Sequence, residues 1–200
     1  PNMAWLVAIA SMAVAASASA QNAKFTASQT FEYDPGKTGT AEAYWDRNIG
    51  EADKSGNTNF GLRLEKNAPT PANVAVGAVL NGLKGVVVLA GDTLAFDMKD
   101  DSGPPQDGPR FNVFYTLPDG TPGGFSFVGG SGNATKSAGQ QAGWTRYTLN
   151  LQVSPQANPP IPPGSVLESV VFIIDNSGKY TIDNIGFRDQ VVGKPGSSSN

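Results

Sequence analysis

The stretch of sequence that decides the fold lies near the end of the chain, where residues 166–189 read VLESVVFIIDNSGKYTIDNIGFRD. Residues 170–174 are apolar on both faces, which predicts a strand that is covered on both sides. The Asn-Ser-Gly triplet at 176–178 predicts a turn into a second strand over residues 179–188. That strand alternates, and Asp183 places a carboxylate among its apolar residues.

Comparable alternation recurs upstream at spacings of about 8–12 residues, with turn signals between the strands and no long amphipathic helix. The Asn-Gly pair at 81–82 predicts a hairpin that joins two of these strands. Strands are predicted over residues 60–66, 74–80, 83–89, 93–99, 110–117 and 144–151, and a weaker one around Phe25, Phe31 and Tyr33. Residues 41–59 are interpreted as a loop. The pattern predicts an all-β, two-sheet antiparallel sandwich.

Composition agrees with this class and excludes several functions. The 24 glycines and 15 prolines, with only 16% charged residues, are typical of an all-β protein with many turns. A formal net charge of −3, with scattered basic residues, argues against nucleic-acid binding. The chain has no cysteine and no histidine, which excludes disulfides, thiol nucleophiles, histidine-dependent nucleophiles and the usual zinc sites.

The ends of the chain have their own signals. An apolar run at residues 3–16 leads into Ala18-Ser19-Ala20, which predicts a signal peptide over residues 1–20, although a short buried helix is the alternative. We therefore expect a secreted or periplasmic bacterial protein with no membrane span in the mature chain. The domain is assigned to residues 21–189. Residues 190–200 are interpreted as a flexible tail or a linker to a neighbouring domain.

Several segments resemble extracellular jelly-roll domains of the carbohydrate-binding-module type. They are, in order, GDTLAFDMK, GPRFNVFYT, GFSFVGG, GWTRYTLNL, VLESVVFIID and YTIDNIGF. The most telling are Gly-Trp before an alternating strand and the closing aromatic-x-Ile-Asp-Asn-Ile-x-Phe. The resemblance covers roughly residues 60–188. It implies a jelly-roll sandwich that binds a polysaccharide or glycan.

The resemblance also implies a metal site. In such modules the closing aspartate often joins a structural calcium site with groups from the N-terminal segment. Asp183 matches that position, and Glu32 or Asp34 is the candidate partner. Oxygen ligands suit calcium, which would relieve the cost of a buried carboxylate. The alternative is that Asp183 accepts hydrogen bonds from nearby backbone amides.

Sugars bind to aromatic rings flanked by a few polar side chains, and the outward positions of three predicted strands offer that mixture. These candidates are Asp97, Arg110, Asn112, Phe114, Trp144 and Arg146. They form one groove if their strands share a sheet. Tyr44 and Trp45 are a candidate sugar platform in the predicted loop. The alternatives are that Trp144 is tucked under a loop, that Arg110 and Asp97 merely pair, and that Tyr44 and Trp45 plug one end of the sandwich.

Catalysis is not expected. The chain has five glutamates, and none belongs to a closely spaced acidic pair on one strand face, the arrangement of a glycosidase. The leading prediction is thus a secreted, non-enzymatic glycan-binding domain. A structural or adhesive surface protein, which the C-terminal tail would suit, is the alternative. A polysaccharide-degrading enzyme is a weaker one, because carboxylates from distant strands can converge.

Overall fold

A computed structural model describes residues 24–52, 59–103 and 108–193. Within these ranges the chain forms antiparallel strands and no helix. The strands are β1 Thr26–Tyr33, β2 Ala41–Asp46, β3 Gly61–Lys66, β4 Ala75–Asn81, β5 Thr93–Lys99, β6 Arg110–Thr116, β7 Gly124–Gly129, β8 Thr135–Ala138, β9 Trp144–Asn150, β10 Ala157–Asn158, β11 Val166–Ile174, β12 Gly178–Phe187 and β13 Gln190–Val192. No helix in these ranges is long and apolar enough to cross a membrane.

The strands form two sheets whose order confirms the predicted jelly roll. One sheet has six strands in the order β1-β4-β11-β6-β7-β10. The other has seven, in the order β2-β3-β12-β5-β9-β8, with β13 beside β12. Eight strands build the centre: β3, β4, β5, β6, β7, β9, β11 and β12. Numbered one to eight along the chain, they lie in the orders 1-8-3-6 and 2-7-4-5, which is the interleaved arrangement of a jelly roll.

The core fills the space between the sheets and follows the predicted alternation. Phe96 from β5 lies with its ring centroid 5.1 Å from that of Tyr147, stacked, and 5.0 Å from that of Phe172. Phe111 packs against Phe172 at 4.8 Å. These side chains come from both sheets and are buried. The aromatic centre therefore joins the two layers, because apolar residues at every second position face inward.

The stretch at residues 166–189 supplies a central strand to each sheet. β11 lies between β4 and β6, whereas β12 lies between β3 and β5. Both strands are paired on both edges. β12 is buried at every position from Tyr180 onward, whereas β11 is buried mainly over residues 170–174 and exposes Glu168. Asp183 lies opposite Asp97 in the β12–β5 pairing. The acidic residue of the closing strand thus meets a second carboxylate at the middle of the sheet.

The predicted hairpin after β4 is not formed. Gly82 does make the expected turn, with φ of +101°, but residues 83–89 run beside β11 as a loop. The Gly85 amide donates to the Leu167 carbonyl, and the Val88 amide donates to the Ser165 carbonyl. The reason is that β4 already pairs with β1 on one edge and β11 on the other, so no edge is left for a hairpin partner.

Residues 41–46, which were expected in a loop, form β2 at the edge of the seven-stranded sheet. Ala41 and Ala43 are buried, and their small side chains let this edge strand lie close to the core. At the C-terminal end, Gln190–Val192 form β13 instead of starting a flexible tail. The predicted signal peptide at residues 1–20 and the rest of the tail, residues 194–200, lie outside the described residues.

Candidate functional site

The predicted groove is divided between two opposite surfaces. Asp97, Trp144 and Arg146 belong to β5 and β9 of the seven-stranded sheet, whereas Arg110, Asn112 and Phe114 belong to β6 of the six-stranded sheet. The single-groove expectation is wrong because successive strands of a jelly roll cross between sheets, so outward residues of β5 and β6 face away from each other. For the same reason Arg110 and Asp97 do not pair. Each has a partner on its own sheet.

The outer surface of the six-stranded sheet carries three phenylalanines, Phe114, Phe125 and Phe127, which we call the aromatic face. Phe114 lies opposite Phe125 in the β6–β7 register, with ring centroids 4.8 Å apart. Phe125 meets Phe127 edge-on at 4.7 Å. Phe114 is 45% exposed and Phe127 is 46% exposed. Large apolar rings clustered on an exposed surface are typical of a binding surface.

A fixed ion pair borders the aromatic face. The guanidinium of Arg110 donates two hydrogen bonds to the carboxylate of Asp175, at 2.5 and 2.6 Å, and a third to the side-chain oxygen of Asn112 at 3.1 Å. It also lies 5.0 Å from the centroid of the Phe127 ring. The hydrogen bonds from Arg110 hold the pKa of Asp175 below its usual value. Charged donors and acceptors are therefore held in position beside exposed rings.

The sequence interpretation included only part of this surface. Arg110, Asn112 and Phe114 lie there as a group, but Phe125, Phe127 and Asp175 were not among the candidates. A signal was present, since the Phe-Ser-Phe of β7 puts both rings on one face while Ser126 and Val128 are buried on the other. The exposed rings of β7 lie beside β6 because these two strands pair. Alternation along a strand does not show which strand pairs with it.

A second group, the carboxylate cluster, lies on the seven-stranded sheet and consists of Glu51, Asp97 and Asp183, with Asn184 and Arg146. The three carboxylates are each 1–2% exposed. The side-chain amide of Asn184 donates to the Glu51 carboxylate at 2.7 Å and to the Asp97 carboxylate at 2.8 Å. Arg146 donates to Asp97 at 3.1 Å. Glu51, Asp97 and Asp183 lie far apart in the sequence, and the fold brings their carboxylates together.

An irregularity in β12 makes this convergence possible. The β12–β5 register shifts between Asp183 and Gly186, and Asn184 has a φ of +46°. In a regular strand residues 183 and 184 would face opposite sides, but here both side chains reach the cluster. Gly186 leaves room for the guanidinium of Arg146, since a Cβ there would lie 2.7 Å from it.

The cluster holds protons near neutral pH. Burial, together with the neighbouring Asp97, raises the pKa of Glu51 to about 7. Burial raises the pKa of Asp183 to about 8. Hydrogen bonds from two backbone amides lower this pKa but do not offset the effect of burial. Three ionised carboxylates beside one cation, Arg146, would leave two buried negative charges among these described residues, which is costly. The protons of the cluster are therefore assigned to Glu51 and Asp183, whose pKa values are raised.

Asp183 links distant segments through the backbone. Its Oδ2 accepts from the Glu51 amide and its Oδ1 from the Asn184 amide, both at 2.7 Å. Asp34 instead accepts from Thr38 and Gly39, and within the described residues no hydrogen bond joins Asp34 or Glu32 to Asp183. Within the described ranges no group of three or more acidic side chains is arranged to hold a metal ion. The residues nominated for calcium thus do not assemble as one ligand set.

The aromatic candidates of the seven-stranded sheet differ in exposure. Trp144 is 7% exposed, so the alternative of a covered tryptophan describes it better than a sugar platform. Trp45 is half-buried against the core, and its indole N–H donates to the Ala27 carbonyl at 2.8 Å. Tyr44 is 40% exposed. Tyr44 and Trp45 are neighbours in β2 and therefore point to opposite faces, which excludes one joint platform.

Comparisons with protein-family models, with curated protein sequences and with solved structures each found no match.

Proposed function

We propose that this protein is a non-catalytic glycan-binding domain that holds a polysaccharide chain against the aromatic face of its six-stranded sheet. The observation that carries the proposal is the exposed cluster of Phe114, Phe125 and Phe127 beside the fixed Arg110–Asp175 pair. Export from a bacterial cell belongs to the proposal and rests on the sequence pattern of residues 1–20.

The chemistry of a sugar ring matches this surface. Each pyranose has apolar C–H faces that pack against an aromatic ring and hydroxyl groups at its rim that need hydrogen-bond partners. The rings of Phe114 and Phe127 supply apolar contact. Arg110 has guanidinium N–H groups left after its bonds to Asn112 and Asp175, and the carboxylate of Asp175 accepts. Because Asp175 and Arg110 hold each other in place, little side-chain entropy is lost on binding.

The decisive variant is Phe127→Ala, tested on an array of neutral polysaccharides and then by titration calorimetry. Loss of one stacked ring removes about 1–2 kcal/mol, so we expect a roughly 5- to 30-fold weaker affinity. Tyr33→Ala is the matched control, because Tyr33 is exposed to a similar degree on β1, three strands from β6 in the same sheet. A folded wild type that binds no glycan, or equal losses in both variants, would refute the proposal.

The alternative function, that of a structural or adhesive surface protein, would use the same aromatic face. An exposed patch of phenylalanines also suits contact between copies of the chain. Sedimentation velocity over a range of concentrations separates the two readings. Dimers that disappear in Phe127→Ala, together with no glycan binding, would favour the adhesive function.

A further inference from the structure

A cleft of about 270 Å³ lies on the outer face of the seven-stranded sheet, on the side of the sandwich opposite the aromatic face. Its walls come from β3, from the end of β5 with the turn that follows, and from β12. The lining residues are Arg63, Lys99, Asp101, Ser102, Lys179 and Thr181. Neither the aromatic face nor the carboxylate cluster uses any of them.

The cleft has an excess of positive charge in an acidic protein. Its cations are Arg63, Lys99 and Lys179. Asp101 lies 3.5 Å from Lys99, and Glu65 lies 2.5 Å from Lys179 and 3.9 Å from Arg63. Of the six lining residues, three are cationic and one is anionic, whereas the whole chain carries −3. The side chains of Lys99 and Lys179 are 43% and 61% exposed, so both ion pairs face solvent, where such pairs are weak and can be exchanged for contacts with a ligand.

Two hydroxyl groups add neutral donors. Thr181 lines the cleft, and its hydroxyl is not among the buried side-chain atoms that lack a partner, so its oxygen is open to the cleft. The Thr181 backbone amide donates to the Ser102 oxygen at 3.0 Å, which leaves the Ser102 hydroxyl proton to be donated elsewhere. An oxyanion, which accepts several hydrogen bonds at once, satisfies these donors.

An exposed aromatic ring lies next to these cations. Tyr44 pairs with Arg63 across β2 and β3, and Arg63 pairs with Thr181 across β3 and β12. These three residues form one row on the outer face of the sheet, and Tyr44 is 40% exposed. An aromatic ring beside a cationic oxyanion site offers a stacking surface and a charge contact at neighbouring positions.

We propose that this cleft binds the carboxylate or sulfate group of an acidic saccharide, with Tyr44 against the sugar ring. The site is separate from the aromatic face and does not rest on the function proposed for it. The two anionic groups present the same chemistry, an oxyanion carried on a pyranose.

The test uses polygalacturonate as the carboxylate probe, dextran sulfate as the sulfate probe and dextran as the neutral backbone, by affinity electrophoresis and calorimetry. Lys179→Gln removes one cation, and Thr181→Val removes the hydroxyl without changing the shape of the side chain. The matched control is Lys84→Gln, because Lys84 is exposed on a loop away from the cleft. Thr181→Val should leave thermal stability unchanged or raised, since the hydroxyl has no partner to lose.

We expect either polyanion to bind, dextran not to bind at the cleft, and affinity to fall about tenfold in Lys179→Gln and Thr181→Val but not in Lys84→Gln. The probe that binds identifies the anionic group. Binding of neither probe would overturn the proposal, as would equal losses in Lys84→Gln. Loss of polyanion binding in Phe127→Ala with retention in both cleft variants would also overturn it, and would assign the ligand to the aromatic face.

Discussion

Raising the pH from 5 to 8 is expected to destabilise this protein through its carboxylate cluster. The folded-state pKa is about 7 for Glu51 and about 8 for Asp183, against ordinary values of 4.5 and 3.8. Both groups therefore bind protons more tightly in the folded state than in the unfolded state. Their stabilising contribution is full below pH 4 and is lost as the pH rises through the folded-state values.

The size of the effect follows from these values. For Glu51 alone, the free energy of unfolding should fall by about 2–3 kcal/mol between pH 5 and 8, at 1.36 kcal/mol for each tenfold change in proton affinity. Asp183 adds a loss in the same direction. A domain of this size has a total stability of about 5–15 kcal/mol, so the change is large enough to measure.

Urea unfolding followed by tryptophan fluorescence at several pH values between 5 and 9, in buffer with chelator, measures this slope. Glu51→Gln cannot ionise and should flatten the slope, even though replacing the carboxylate shifts stability at every pH. Glu168→Gln is the control, because Glu168 is an exposed carboxylate on β11 that contacts Lys84 and Thr116. Stability that is constant or increases from pH 5 to 8 would refute the reasoning, as would an unchanged slope in Glu51→Gln.

Two further predictions concern a cation and a buried lysine. If calcium stabilises the native state, as the resemblance implies, adding it after chelation raises the thermal midpoint of unfolding, and an unchanged midpoint would count against a calcium site. Lys66 is 1% exposed, and its ammonium donates to the carbonyls of Thr70, Ala72 and Asp175. Lys66→Met keeps the volume but leaves these carbonyls unpaired, so the free energy of unfolding measured in urea should fall by about 2–4 kcal/mol. Lys84→Met, on an exposed side chain, should change it little, and equal stability of the two variants would contradict this account.

Most of the core was accessible from the sequence, because burial follows a period of two along each strand. Alternation along the predicted strand 93–99 puts Leu94, Phe96 and Met98 on one face, and alternation along 110–117 does the same for Phe111 and Val113. The structure buries all five. This pattern is local, since a strand must present every second side chain to the core. The closing strand and the number of layers followed from the same alternation.

The sequence does not show which strands pair, and this pairing decides which side chains meet at the candidate sites. Phe127 reaches Arg110, and Arg63 reaches Thr181, only through partners chosen by the whole fold. The same holds for the carboxylate cluster, where residues 51, 97 and 183 are brought together.

The sequence by itself therefore determined that the chain is a two-layer β-sandwich and which side chains fill it, because these depend on local alternation. Only the tertiary structure decided that Arg110 and Asp97 lie on opposite surfaces. Only the tertiary structure also shows that Asp183 accepts hydrogen bonds from two backbone amides and lies beside two further carboxylates. The physical reason is that hydrogen bonds between strands use backbone groups, which are the same in every residue, so the register that brings side chains together depends on packing of the whole sandwich.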